Sequence, residues 1–155
     1  MRKKSVVVFI ISLLLIVFLI DWYTGKKVSI SMNKDVQLQE IVIQKGIGNL
    51  SDIKNRTVKN PQKAEEILSM VEGLKVKEAK EKVRIESPDT YMFSFHTGDD
   101  SERGEMVPYS FFVLGDGTFI FTHEDVDKPL ENPLVTTSKH KELLDEIRQH
   151  VGLNF

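Results

Sequence analysis

The chain has no cysteine. That excludes a disulfide framework, a thiolate metal site, a cysteine nucleophile and a lipoprotein-type lipidated cysteine. It has only five prolines and nine glycines in 155 residues, with no internal repeat and no low-complexity tract, so a collagen-like rod is excluded. Neither sign of charge dominates: 21 Lys/Arg stand against 23 Asp/Glu, a formal net charge of −2. With 41% hydrophobic and 28% charged residues the composition is that of a globular protein about one domain long, and neither a disordered tail nor a multi-pass membrane protein. The balance hides an asymmetry. Residues 1–27 hold five Lys/Arg and one Asp, net +4; residues 28–155 hold 16 Lys/Arg and 22 Asp/Glu, net −6. An acidic domain makes nucleic acid an unsuitable partner, because phosphate binding needs a basic face.

There is one long apolar run. Val6 to Ile20 is apolar except at Ser12; Arg2, Lys3 and Lys4 precede it, and Trp22, Tyr23, Lys26 and Lys27 follow. From Ser5 to Tyr23 is 19 residues, a helix of about 28 Å at ~1.5 Å per residue, close to a hydrocarbon core of about 30 Å. Trp22 and Tyr23 fall where an interfacial aromatic belt belongs. A cleaved signal peptide would need small residues at −3 and −1. Ser29 and Ser31 have that spacing but lie beyond two lysines, too far from the run. The expectation is a retained transmembrane helix at residues 6–20, with the N-terminus cytoplasmic and residues 28–155 outside. Residues 1–27 then form the anchor and its juxtamembrane linker.

The remaining residues alternate between two periodicities. Val28–Met32 and Val36–Ile43 predict strands, and Ser51–Lys59 a loop or a short extra strand. Asn60 and Pro61 are an N-cap and a first helical residue, and Ala64, Ile67, Leu68 and Val71 form one stripe, ended by Gly73. They predict a helix over 61–72, with Glu65 and Glu66 near its positive end. Leu74–Ile85 predicts a solvated strand, and Tyr91, Phe93 and Phe95 mark a further one. Val107–Leu114 and Thr118–Thr122 flank Gly115-Asp116-Gly117, a hairpin signal. A two-residue Asp116-Gly117 loop would place Phe112, Leu114, Phe119 and Phe121 on one face. Tyr109, Phe111, Val113 and Ile120 would then lie on the other. His123–Thr137 predicts a loop, and Lys139–His150 a helix capped by Ser138, with Leu143, Leu144, Ile147 and Val151 as its stripe. The fold class is α+β: an antiparallel sheet of about five strands with two packed helices, preceded by the transmembrane helix.

No motif specifies a reaction. Ser-x-x-Lys occurs at Ser138/Lys141, Ser31/Lys34 and Ser51/Lys54 without the Ser-Asp-Asn or Lys-Thr-Gly partners of an acylating serine. Gly46-Ile47-Gly48 is half of a phosphate loop with no following helix. Two acidic stretches have the oxygens a hard cation prefers. They are the loop 99–105, with Asp99, Asp100, Glu102 and Glu105, and the loop 123–127, with His123, Glu124, Asp125 and Asp127. No EF-hand pattern orders them, and no specific cation binding is expected. His96, His140 and His150 are scattered. No catalytic, cofactor-binding or metal residue is therefore assigned.

Taken together, Arg2-Lys3-Lys4, Val6–Ile20, the Asn60-Pro61 helix start and the Tyr109–Phe121 hairpin resemble the small, singly anchored extracytoplasmic α+β proteins of Gram-positive bacteria. The resemblance is architectural and implies an envelope location. It brings no site residues with it. The expected function is a non-enzymatic protein-interaction or regulatory module, self-associating or bound to another envelope protein, with Tyr109's face of the hairpin as the contact. The alternatives are a small-ligand or cation module using loops 99–105 and 123–127, and a hydrolase.

Overall fold

The computed structural model describes residues 11–16, 26–27, 37–46, 53–79, 83, 85, 87–97, 109–121 and 133–155. The predicted strand Val28–Met32 and both acidic loops lie outside them. So does the apolar run, apart from residues 11–16, which are helical. Among the described residues no helix is long and apolar enough to cross a membrane.

The α+β class holds, and among the described residues the antiparallel sheet has eight strands rather than about five. In chain order they are β1 (Lys26–Lys27), β2 (Leu38–Lys45), β3 (Lys54–Val58), helix α1 (Pro61–Val71), β4 (Lys75–Glu78), β5 (Tyr91–Thr97), β6 (Tyr109–Val113), β7 (Phe119–Phe121), β8 (Leu134–Thr136) and helix α2 (Lys141–His150). Across the sheet the order is β1-β4-β8-β7-β6-β5-β2-β3. The additional strands are those with least apolar signal. Lys26–Lys27, at the end of the expected linker, pair with β4. Leu134–Thr136, inside the expected loop, fill the gap between β7 and β4.

One face of the sheet carries the core. Leu38, Ile41 and Ile43 of β2, Tyr91, Phe93 and Phe95 of β5, Phe111 and Val113 of β6, and Phe119 and Phe121 of β7 pack with both helices. A β-bulge between Leu38 and Glu40 keeps Leu38 and Ile41 on the same side. From α1 come Ala64, Ile67, Leu68 and Val71, and from α2 Leu144 and Ile147, each set the predicted stripe.

The two helices start by different means, one local and one tertiary. Asn60 caps α1, its Oδ1 accepting from Lys63 N at 3.2 Å, with Pro61 in the first turn as expected. Ser138 does not cap α2. His140 is the N-cap residue, without a side-chain cap bond, and its own N–H donates to the Gly117 carbonyl at 2.8 Å. The start of α2 is thus set by the hairpin turn beneath it. At the other end Leu153 N bonds Arg148 O (2.8 Å) and Gly152 N bonds Gln149 O (3.1 Å), a Schellman closure that folds Leu153 into the core.

The hairpin register differs from the expected one by a residue. Leu114 N donates to Thr118 O (2.9 Å) and Gly117 N to Leu114 O (2.8 Å), with Gly117 at φ 86°. The loop is three residues long, Gly115-Asp116-Gly117, a turn closed by a glycine in left-handed backbone. Phe111 therefore faces Phe121, Phe112 faces Ile120 and Val113 faces Phe119. A one-residue slip exchanges faces. Phe119 and Phe121 join Phe111 and Val113 in the core, while Phe112 and Ile120 lie on the opposite face.

Candidate functional site

Among the described residues the sequence candidates do not converge. Ser138 Oγ lies 3.0 Å from His140 Nε2, whereas the Lys141 ammonium is 3.7 Å from Asp145 Oδ1, so the Ser138/Lys141 dyad is not formed. Gly46 ends β2, donating to Thr90 O at 3.0 Å. His96 sits opposite Glu40 in the β5–β2 ladder, on the sheet face away from the helices. Among the described residues no group of three or more His, Asp or Glu is arranged to hold a metal ion.

Tyr109 is not on a free face. Its ring packs edge-on against Phe95 (6.1 Å) and Phe111 (6.5 Å), on the helix side. Tyr109 and Ile120 are thus on opposite faces, contrary to the sequence expectation. Burial pushes the Tyr109 phenol up to about 12. The unfolded chain ionises near ~10, so between roughly pH 10 and 12 it releases a proton that the folded domain keeps, and stability falls with rising pH across that window. Tyr109→Phe removes this loss. Its stability relative to the parent should rise by about 2 kcal/mol over the window, most of the ~2.7 kcal/mol that a two-unit shift is worth. Urea unfolding of both chains at successive pH values checks this, and a constant difference would refute it.

Sequence reasoning missed a gathering of cations at the C-terminus of α2. The Arg148 guanidinium lies 5.6 Å from the Tyr91 ring centroid, and the Lys45 ammonium 5.4 Å from it. Arg148 bonds Asp145 Oδ1 and the Phe155 main-chain oxygen, each at 3.2 Å, while its buried Nε has no hydrogen-bond partner among the described residues. Lys63 Nζ donates to His150 O at 2.8 Å, and Arg56 reaches Gly152. His150 Nε2 stands 2.8 Å from Glu66 Oε2, an ion-pair distance without hydrogen-bond geometry. Glu66 thus serves the contact between the helices rather than the first turn of α1. Cations beside the last carbonyls of a helix complement its negative end. Lys45 is further matched by Asp89 at 3.2 Å. This chemistry fixes α2 in place, and only Arg148 and His150 in the last turn signalled it in the sequence.

At the hairpin turn, Lys139 Nζ is 2.9 Å from Asp116 Oδ2, and Thr118 N donates to Oδ1 at 3.0 Å. The Lys139 contact, foremost, holds the Asp116 carboxyl below its usual range. The stability this contributes is present at neutral pH and lost as pH falls through the depressed value. It is small, because both side chains are well exposed.

The sheet face opposite the helices is the least explained surface. Ile120 is fully buried and Phe112 is 6% exposed, yet neither belongs to the helix-side core. Around them Val42, Met92, Leu114 and Val135 are half-buried. No family, no curated protein and no solved structure matches the chain.

Proposed function

We propose that the chain is a membrane-anchored, extracytoplasmic domain of the cell envelope of a Gram-positive bacterium, acting by binding another protein rather than by catalysis. The observation that carries the anchor is the helical stretch 11–16. Its apolar side chains Ile11, Leu13, Leu14, Leu15 and Ile16 are each between 53% and 63% exposed, so among the described residues nothing covers them fully. Five such side chains among six residues suit lipid better than water. Arg2, Lys3 and Lys4 favour a cytoplasmic N-terminus. The half-buried apolar side chains around Phe112 and Ile120 support binding through the face away from the helices. Single-sided apolar cover is common in antiparallel sheets, but the second face is then normally polar.

Two measurements test this reading. Protease added to intact protoplasts should remove residues beyond about Thr24 and spare the N-terminus; a mature species beginning near Asn33 would overturn the anchor. A photo-crosslinking side chain at Met92 or Val135 should give a discrete adduct in intact membranes, absent when the same group replaces Glu65 on the exposed side of α1. Equal labelling from both positions would remove the assignment to that face.

A further inference from the structure

We infer that the β1/β4 edge of the sheet is a lipid-facing edge, which lays the domain against anionic phospholipid headgroups. This rests on the anchored reading above and adds the surface that touches the membrane.

The register brings the lysines together. Lys27 pairs with Lys75 and Lys26 with Val76, so Lys26, Lys27, Lys75 and Lys77 fall on two adjacent strands at one end of the sheet. Val76 is fully buried, whereas Lys75 and Lys77 are exposed on either side of it. Among the described residues neither lysine ammonium has an anionic partner. Residues 26–155 carry a net charge of −4, so four lysines against one acid, Glu78, in the two strands of one edge are unexpected. Edge lysines discourage strand-to-strand aggregation, which accounts for one or two of them.

Chain length supplies the second argument. β1 begins three residues after Tyr23, the last residue of the 19-residue stretch suited to spanning. Three residues reach about 10 Å at most, close to the Debye length of about 8 Å at physiological salt. Whatever path residues 24 and 25 take, β1 starts within the electrostatic reach of the membrane surface, and pairing holds β4 beside it. The other basic strand, β3 with Lys54 and Arg56, is the opposite edge. Seven strand spacings at about 4.8 Å put it roughly 34 Å from β1, beyond that reach. A lysine near an anionic surface gains attraction that salt screens, so position and not charge alone separates the two edges.

The experiment uses the full chain reconstituted in vesicles of phosphatidylcholine, with or without about a third phosphatidylglycerol. Lysine acylation by an amine-reactive ester is followed residue by residue by mass spectrometry. With phosphatidylglycerol at low salt, Lys75 and Lys77 should react about fivefold more slowly than on phosphatidylcholine alone, while Lys54 and Lys59 keep their rates. Raising salt to about 0.5 M should restore the two edge lysines. Rates independent of lipid composition, or slowed equally at all four lysines, overturn the inference while leaving the anchor intact. A chain that does not float with vesicles of either composition overturns the anchor, and the inference with it.

Discussion

Gly117→Ala should cost the folded domain about 2–5 kcal/mol, a large fraction of the ~5–15 kcal/mol that holds a domain of this size together. Two independent effects meet at this position. Gly117 has φ 86°, and an alanine in left-handed backbone costs roughly 1–2 kcal/mol. A Cβ there would also lie 2.3 Å from Lys141 N, 2.5 Å from the His140 carbonyl carbon and 2.7 Å from Lys141 Cα. These are backbone atoms, so relief requires the first turn of α2 to lift away and to stretch the His140 N to Gly117 O bond of 2.8 Å. Overpacking of this kind typically costs a further ~1–3 kcal/mol. Gly73→Ala is the control. Gly73 has φ 77° and nothing within 4 Å of the added carbon, so only the backbone cost applies. Urea unfolding of the full chain in detergent micelles separates the two. Equal losses would mean that α2 does not rest on the hairpin turn.

That contact also explains where sequence reasoning succeeded and where it stopped. Asn60, Pro61 and the Ala64–Ile67–Leu68–Val71 stripe are local signals, and they define α1 within a residue. The start of α2 is not local. Its first turn is placed by a carbonyl from a hairpin more than twenty residues away in sequence, so Ser138, a good capping residue by type, is passed over. The same holds for the strands. β5, β6 and β7 announce themselves through alternating aromatics, whereas β1, β3 and β8 are short or polar and exist because a neighbouring strand offers hydrogen bonds. Asp116-Gly117 correctly marked a hairpin. Loop length then decided the register, and two glycines flanking one aspartate permit either a two-residue or a three-residue loop. The cations around α2's last turn come from β2, β3, α1 and α2 itself, so no spacing within one segment could have revealed them.

Phe111→Ala should be the most damaging core truncation and should unfold a marginal domain. Phe111 is fully buried in the central strand β6, at the hub of the aromatic cluster. Its ring stacks on Phe93 at 5.1 Å and meets Phe121 at 5.6 Å, Phe95 at 5.7 Å, Phe119 at 6.0 Å and Tyr109 at 6.5 Å. Removing a buried phenylalanine ring costs about 3–5 kcal/mol, and the cost rises with the cavity that neighbours cannot fill. Here the neighbours are rigid rings held on paired strands, Phe93 opposite Phe111 on one side and Phe121 on the other. Each aromatic pair also adds about 0.5–1.5 kcal/mol beyond its buried area. The loss should therefore lie at the top of the range, near 5 kcal/mol. Phe112→Ala, one residue along, tests the register at the same time. Phe112 is 6% exposed on the opposite face, with no ring contact among the described residues. Its truncation should cost about 3 kcal/mol or less, the low end for a buried phenylalanine. In the alternative two-residue loop Phe112 would stand beside Phe119 and Phe121 and be the costlier of the two. Denaturant midpoints of the two variants, measured under identical conditions, decide it: a larger loss for Phe112→Ala would place the core on the other face of the sheet and refute the three-residue turn.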